Sequence, residues 1–159
     1  MILVDSSSWI HFLRPSGDPV VRGRVEAALT AGEACWCPLV RLELWNGAAG
    51  DRDRSILRDF ESVLPELAMD DEVWTAACEL ARRARAAGVS VPATDVLIAA
   101  CARRHGAGLE TADADFERLA VVPPFDTYTP ERIAEFERES EVDADTRAAA
   151  REELKRADE

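Results

Sequence analysis

Short apolar runs alternate along this chain with longer stretches of helical spacing, and that alternation narrows the fold more than any other feature. Residues 2–5, Ala34 to Cys37 and Leu109 to Thr111 read as strands, with shorter ones over Leu67 to Met69 and Ala120 to Val122. Helical patterns occupy Ser6 to Leu13, residues 20–31, Leu39 to Ala49, residues 53–64 and 71–87, Asp95 to Arg104, and Asp115 to Leu119. Ser6, Ser7 and Ser8 are candidate caps for the first of these helices, and Thr94 for the one that opens at Asp95. Strands separated by helices need crossover connections, which pair them in parallel and cover both faces of the sheet. The expected class is therefore α/β, a three-layer α/β/α sandwich with a central parallel sheet.

Four acids fall in apolar or small-residue surroundings. Asp5 ends the run Ile2-Leu3-Val4, Glu43 lies between Leu42 and Leu44, Asp95 opens Val96-Leu97-Ile98-Ala99-Ala100, and Asp113 follows Thr111-Ala112. A lone buried carboxylate costs several kcal/mol or is forced neutral. Four together make sense around a divalent cation, and hard oxygen ligands suit Mg²⁺ or Mn²⁺. The expected sheet gives them a meeting place, because ligands of open α/β sheets bind beyond the carboxyl ends of the strands. Three of them also have a structural reading on their own: Asp5 as a helix cap, Asp95 as a partner of a helix dipole, Glu43 as a partner of Arg41.

With 159 residues the chain can bury one sizeable core. No run approaches the 18 apolar residues of a membrane span, and no secretory leader is recognisable, so a cytoplasmic protein is expected. Cys35, Cys37, Cys78 and Cys101 have neither zinc-site nor disulfide-framework spacing and read as buried reduced thiols. A net charge of −12 argues against sequence-independent nucleic-acid binding through a broad basic surface. Residues 126–159 are charged and alanine-rich. They read as an extension, helical from Pro130 to Glu139 and then marginally helical or disordered, distinct from a domain over residues 1–125.

In order along the chain, Val4-Asp5-Ser6-Ser7-Ser8-Trp9-Ile10, Val40-Arg41-Leu42-Glu43-Leu44-Trp45-Asn46-Gly47, Thr94-Asp95-Val96-Leu97-Ile98-Ala99-Ala100 and Glu110-Thr111-Ala112-Asp113-Ala114-Asp115-Phe116 resemble the four motifs of PIN-domain ribonucleases. Size and motif detail look most like the VapC toxins of bacterial toxin–antitoxin pairs. The resemblance covers residues 1–125. It implies an endoribonuclease dependent on Mg²⁺ or Mn²⁺, dimeric, and held inactive by a VapB-like antitoxin. It implies Asp5, Asp95 and Asp113 as metal ligands, Glu43 as ligand or as the residue that orients water, and Ser6 and Asp115 as supporting or substrate-facing residues. Helices 20–31 and 53–64 are the expected walls of the antitoxin groove.

Two positions depart from the pattern. His11 stands where many members carry an acid or amide, and Glu110 where an aliphatic residue is commoner. Glu110 either faces solvent or adds charge near the site. A haloacid-dehalogenase-type phosphatase also begins with a strand and an Asp, but needs a second Asp two residues on, where this chain has Ser7. A catalytically silent PIN module for protein binding is the other alternative. Trp9, Trp36, Trp45 and Trp74 read as core or interface aromatics. Arg52, Arg54 and Arg58 read as a solvated stripe, with RNA backbone contact as the alternative.

Overall fold

A computed structural model describes residues 1–122. Its elements run β1 (Ile2–Val4), α1 (Ser6–Leu13), α2 (Pro19–Thr30), β2 (Ala34–Cys35), α3 (Pro38–Gly47), α4 (Asp51–Val63), α5 (Asp71–Ala86), α6 (Ala93–Arg104), β3 (Gly108–Glu110) and α7 (Ala114–Ala120). The three strands are parallel in the order β2-β1-β3. Leu3 pairs with Cys35 on one side and Leu109 on the other. The step from β1 to β2 crosses the sheet one way and the step from β2 to β3 crosses it the other. The parallel Trp36–Glu66 bridge lies outward of β2, so right-handed crossovers set α1–α4 on one face and the return through α5 and α6 on the other, which gives the α/β/α sandwich.

The core follows from the apolar runs. Leu3 and Val4 of β1 are fully buried, with Trp9, Trp36, Val25, Leu57 and Ile98 packed around them. Trp9 meets Phe12 edge-on and Phe60 at a tilt, joining α1 to α4. Helix α6 is buried without a break from Val96 to Ala102, as expected of a helix that is apolar all round and rich in alanine. Trp45 is half-buried and donates Nε1–H to Glu61 at 2.9 Å, whereas Trp74 is 54% exposed. Cys35, Cys37 and Cys101 are buried free thiols; Cys78 departs from the expectation, since it lies on the solvent side of α5.

Several boundaries differ from the sequence reading, each for a local reason. Asp5, not one of the serines, caps α1, accepting the Ser7 N–H at 3.1 Å. Thr94 lies inside α6, which begins at Ala93 after Pro92. No strand forms at Leu67 to Met69. A single parallel bridge joins Trp36 and Glu66, and the Ala68 carbonyl turns instead to the His105 ring, 2.8 Å away at the end of α6. Nor does a strand form at Ala120 to Val122. Phe116, Leu119 and Val122 all bury at threefold spacing, so the helical turn continues and Val121 is left 76% exposed. Gly17 sits where any Cβ would stand 1.8 Å from the His11 carbonyl oxygen, so the α1–α2 turn admits only glycine there. The helix expected at Pro130 to Glu139, and the domain boundary at residue 125, lie outside the described residues.

Candidate active site

Three of the acids stand at helix N-termini beyond the carboxyl ends of β1 and β3. Asp5 caps α1, Asp95 lies in the first turn of α6, and Asp113 caps α7, accepting the Asp115 N–H at 2.9 Å. Each start is the positive end of its helix dipole, which favours a carboxylate there. The parallel sheet brings two of them together directly: the Asp5 N–H donates to the Glu110 carbonyl at 2.9 Å, so the ends of β1 and β3 stay paired up to the acids. Glu43 comes from the middle of α3.

Asp5 is 4% exposed and well supported. Its Oδ2 accepts the Ser7 hydroxyl at 2.6 Å and the Thr111 hydroxyl at 3.3 Å. Ser7 Oγ accepts in turn from the Ala112 N–H at 3.0 Å, and Thr111 Oγ1 from the Asp113 N–H at 3.0 Å. Two hydroxyls thus splice the start of α1 to the start of α7. Neither was singled out from sequence as a support of the acids; the available signal was a hydroxyl two residues after Asp5 and another two residues before Asp113. Ser7 also removes the second carboxylate a haloacid-dehalogenase-type phosphatase would need.

The electrostatics show which acids share a space. Burial pushes the Asp95 carboxyl up to about 6; Thr94 opposes this by donating a hydrogen bond, and the like charges of Asp113, Asp5 and Asp115 add to it. Burial also raises Glu43, against a hydrogen bond from Ser6 and with the Asp5 charge. The charges acting on Asp95 are therefore all carboxylates. Arg41 does not neutralise Glu43; it turns to Glu66, at 2.8 Å, and Glu61. Asp115 does not cap α7, since Asp113 takes that place. It lies in the first turn, 3.4 Å from Arg118. Glu110 turns away from this cluster: both its oxygens lie 2.9 Å from Arg24 Nε, and Oε1 accepts from Ser8. His11 is occupied too, its Nδ1 accepting the Asp18 N–H at 3.0 Å.

The donor set is carboxylate and hydroxyl oxygen, with like charges facing one another, and it fits a hard divalent cation. Among the described residues no three His, Cys, Asp or Glu side chains stand close enough together to form a ready-made metal site. A magnesium-type ion does not need one, because it keeps several of its waters.

A family model for the PIN domain matches residues 2–122. Ribonuclease VapC11 of Mycobacterium tuberculosis is 37% identical over 125 residues, 77% of this chain and 93% of that protein. Ribonuclease VapC18 of the same organism is 34% identical over 123 residues, 75% of this chain and 87% of that protein. Among solved structures, FitAcB from Neisseria gonorrhoeae superposes with a TM-score of 0.61 at 20% identity, covering 77% of this chain and 95% of that one. VapBC2 from Rickettsia felis, bound to a DNA fragment from its promoter, gives 0.61 at 20% identity, covering 74% and 92%.

Proposed function

The chain belongs to the PIN domain family, among its VapC ribonucleases, and from that premise we propose that it is a Mg²⁺- or Mn²⁺-dependent endoribonuclease, the toxin of a toxin–antitoxin pair. The observation that carries the catalytic reading is the crowding of Asp95 by the like charges of Asp113, Asp5 and Asp115, with no basic side chain paired to it among the described residues.

In this reading Asp5, Asp95 and Asp113 supply the oxygens that hold the ion. A bound Mg²⁺ or Mn²⁺ offsets charge on the phosphate and lowers the pKa of its water. Ser7 and Thr111 keep Asp5 aimed, and Ser6 keeps Glu43 in place. Glu43, raised by burial, is suited to accept a proton from the attacking water as the bond from phosphorus to a ribose oxygen breaks. Asp115 stands in the first turn of α7, where it adds charge to the rim.

Like-charge repulsion predicts a metal-linked gain in stability. Magnesium at roughly 100 times its Kd should add about 2.7 kcal/mol to the wild-type fold. The Asp5→Asn/Asp95→Asn protein should gain nothing. Thermal melting with and without millimolar metal reads both, and an equal shift in the two proteins would remove the ion from the mechanism.

The proposed partners are an RNA substrate, a VapB-like antitoxin and a second copy of the chain. Leu42 on α3 and Trp74 on α5, both more than half exposed, leave apolar area for a homodimer. Val20 on α2 and Val63 at the end of α4 are exposed as well, and we assign those helices to the antitoxin groove. Co-expression with a cognate VapB-like antitoxin should give a stable complex and suppress cleavage. Separate purification of the two, with unchanged activity on mixing, would sink the toxin assignment while leaving the nuclease intact. Among the described residues no helix is long and apolar enough to cross a membrane, and we place the reaction in the cytoplasm.

A further inference from the structure

The acids repel one another, so something must fix the distance between the helices that carry them. Asp5 and Asp113 are spliced by Ser7 and Thr111, but neither hydroxyl reaches α6, where Asp95 sits. The link to α6 comes from α7. The Arg118 guanidinium donates to the carbonyl of Ser90, in the segment that leads through Pro92 into α6. The same guanidinium nitrogen lies 3.4 Å from Asp115 Oδ1. One side chain therefore spans the entry to α6 and the first turn of α7. At the other end of α6, Arg103 donates to the Leu119 carbonyl at 2.8 Å, so α7 stays attached when Arg118 is changed.

We propose that Arg118 is a positioning residue of the nuclease reaction, setting the separation of Asp95 and Asp113 by holding Ser90 and Asp115 at once. It touches neither the reacting phosphate nor the ion. The inference rests on the metal-dependent nuclease reading of the same site. Arg118 is half exposed, so its ion pair with Asp115 alone is worth little; the paired geometry carries the argument.

Arg118→Met keeps the stem and removes every donor. Arg118→Lys keeps a charge on a shorter side chain without the planar guanidinium. Full-length wild type and both variants are compared for Mn²⁺-dependent cleavage of a single-stranded RNA oligonucleotide and for Mn²⁺-dependent melting. In the Met variant the maximal rate should fall roughly tenfold to a hundredfold while the half-saturating RNA concentration stays level. The Lys variant should recover part of the rate. The Mn²⁺ concentration giving half the melting shift should rise several-fold in the Met variant. A pure charge effect has the opposite sign, because deleting a nearby positive charge tightens cation binding. Weaker RNA saturation at an unchanged maximal rate would make Arg118 an RNA contact. A lower Tm with wild-type rate per folded molecule and an unchanged Mn²⁺ midpoint would make it merely structural. Either result overturns the proposal, as does wild-type behaviour throughout. If wild type cleaves no RNA, the nuclease reading falls, and the Mn²⁺ midpoint still decides the role of Arg118.

Discussion

Replacing Asp95 by Asn should lower RNA cleavage by orders of magnitude while leaving the metal-free fold as stable as wild type, or more so. The substitution keeps the shape and removes one negative charge from the cluster. If Asp95 holds the cation, the loss falls on both activation of the water and stabilisation of charge at the phosphate. Stability moves the other way because Asp113, Asp5 and Asp115 all repel the Asp95 charge and burial disfavours it. A structural acid paired with an arginine would behave oppositely, with a loss of about 1–3 kcal/mol and nearly unchanged cleavage per folded molecule. Melting and single-turnover cleavage on one preparation separate the two. A well-folded Asp95→Asn protein that cleaves like wild type would take the central residue out of the mechanism.

The same residue fixes a pH dependence. Its carboxyl is raised from 3.8 to about 6 in the folded chain, so between those values the folded state binds more protons than the unfolded state. The contribution of Asp95 to metal-free stability is therefore fully present below 3.8 and lost as the pH rises through about 6. The stability advantage of Asp95→Asn should accordingly be absent in acid, open across this window and stay open above it. An advantage independent of pH would mean that the charge of Asp95 is not what strains the fold.

The outline of this fold is legible in the sequence because burial follows period. Leu3 and Val4 read as part of a strand and Asp95 to Arg104 as a helix, and both apolar runs are buried in the fold. The gathering of the acids was legible for the complementary reason: Asp5 ends one apolar run and Asp95 opens another, where a lone charge is costly. Local chemistry shared between elements was harder to read. Asp5 caps α1 with the same carboxylate that faces Asp95, so its structural and functional readings were never exclusive. The strand expected at Ala120 to Val122 failed because an apolar triplet does not reveal which neighbour sets its period, and Phe116 and Leu119 set it as helical. Ser7, Thr111 and Arg118 act across separations of 28 to 106 residues, which no local pattern encodes.

Asp5 offers the sharpest separation of folding from chemistry, because its two duties respond differently to two substitutions. Asp5→Ala removes the cap of α1 and leaves the Ser7 and Thr111 hydroxyls without their shared acceptor in a site where Asp5 is 4% exposed. It should cost about 1–3 kcal/mol of stability. Asp5→Asn keeps an amide oxygen that can cap the helix and accept from Ser7, so most of that stability should remain. Cleavage should nevertheless fall by orders of magnitude in both variants, since neither carries the charge that would hold the proposed cation. The two proteins should thus differ clearly in melting and hardly at all in activity per folded molecule. If Asp5 were only a cap, their order in activity would follow their order in stability, and Asp5→Asn would cleave RNA like wild type.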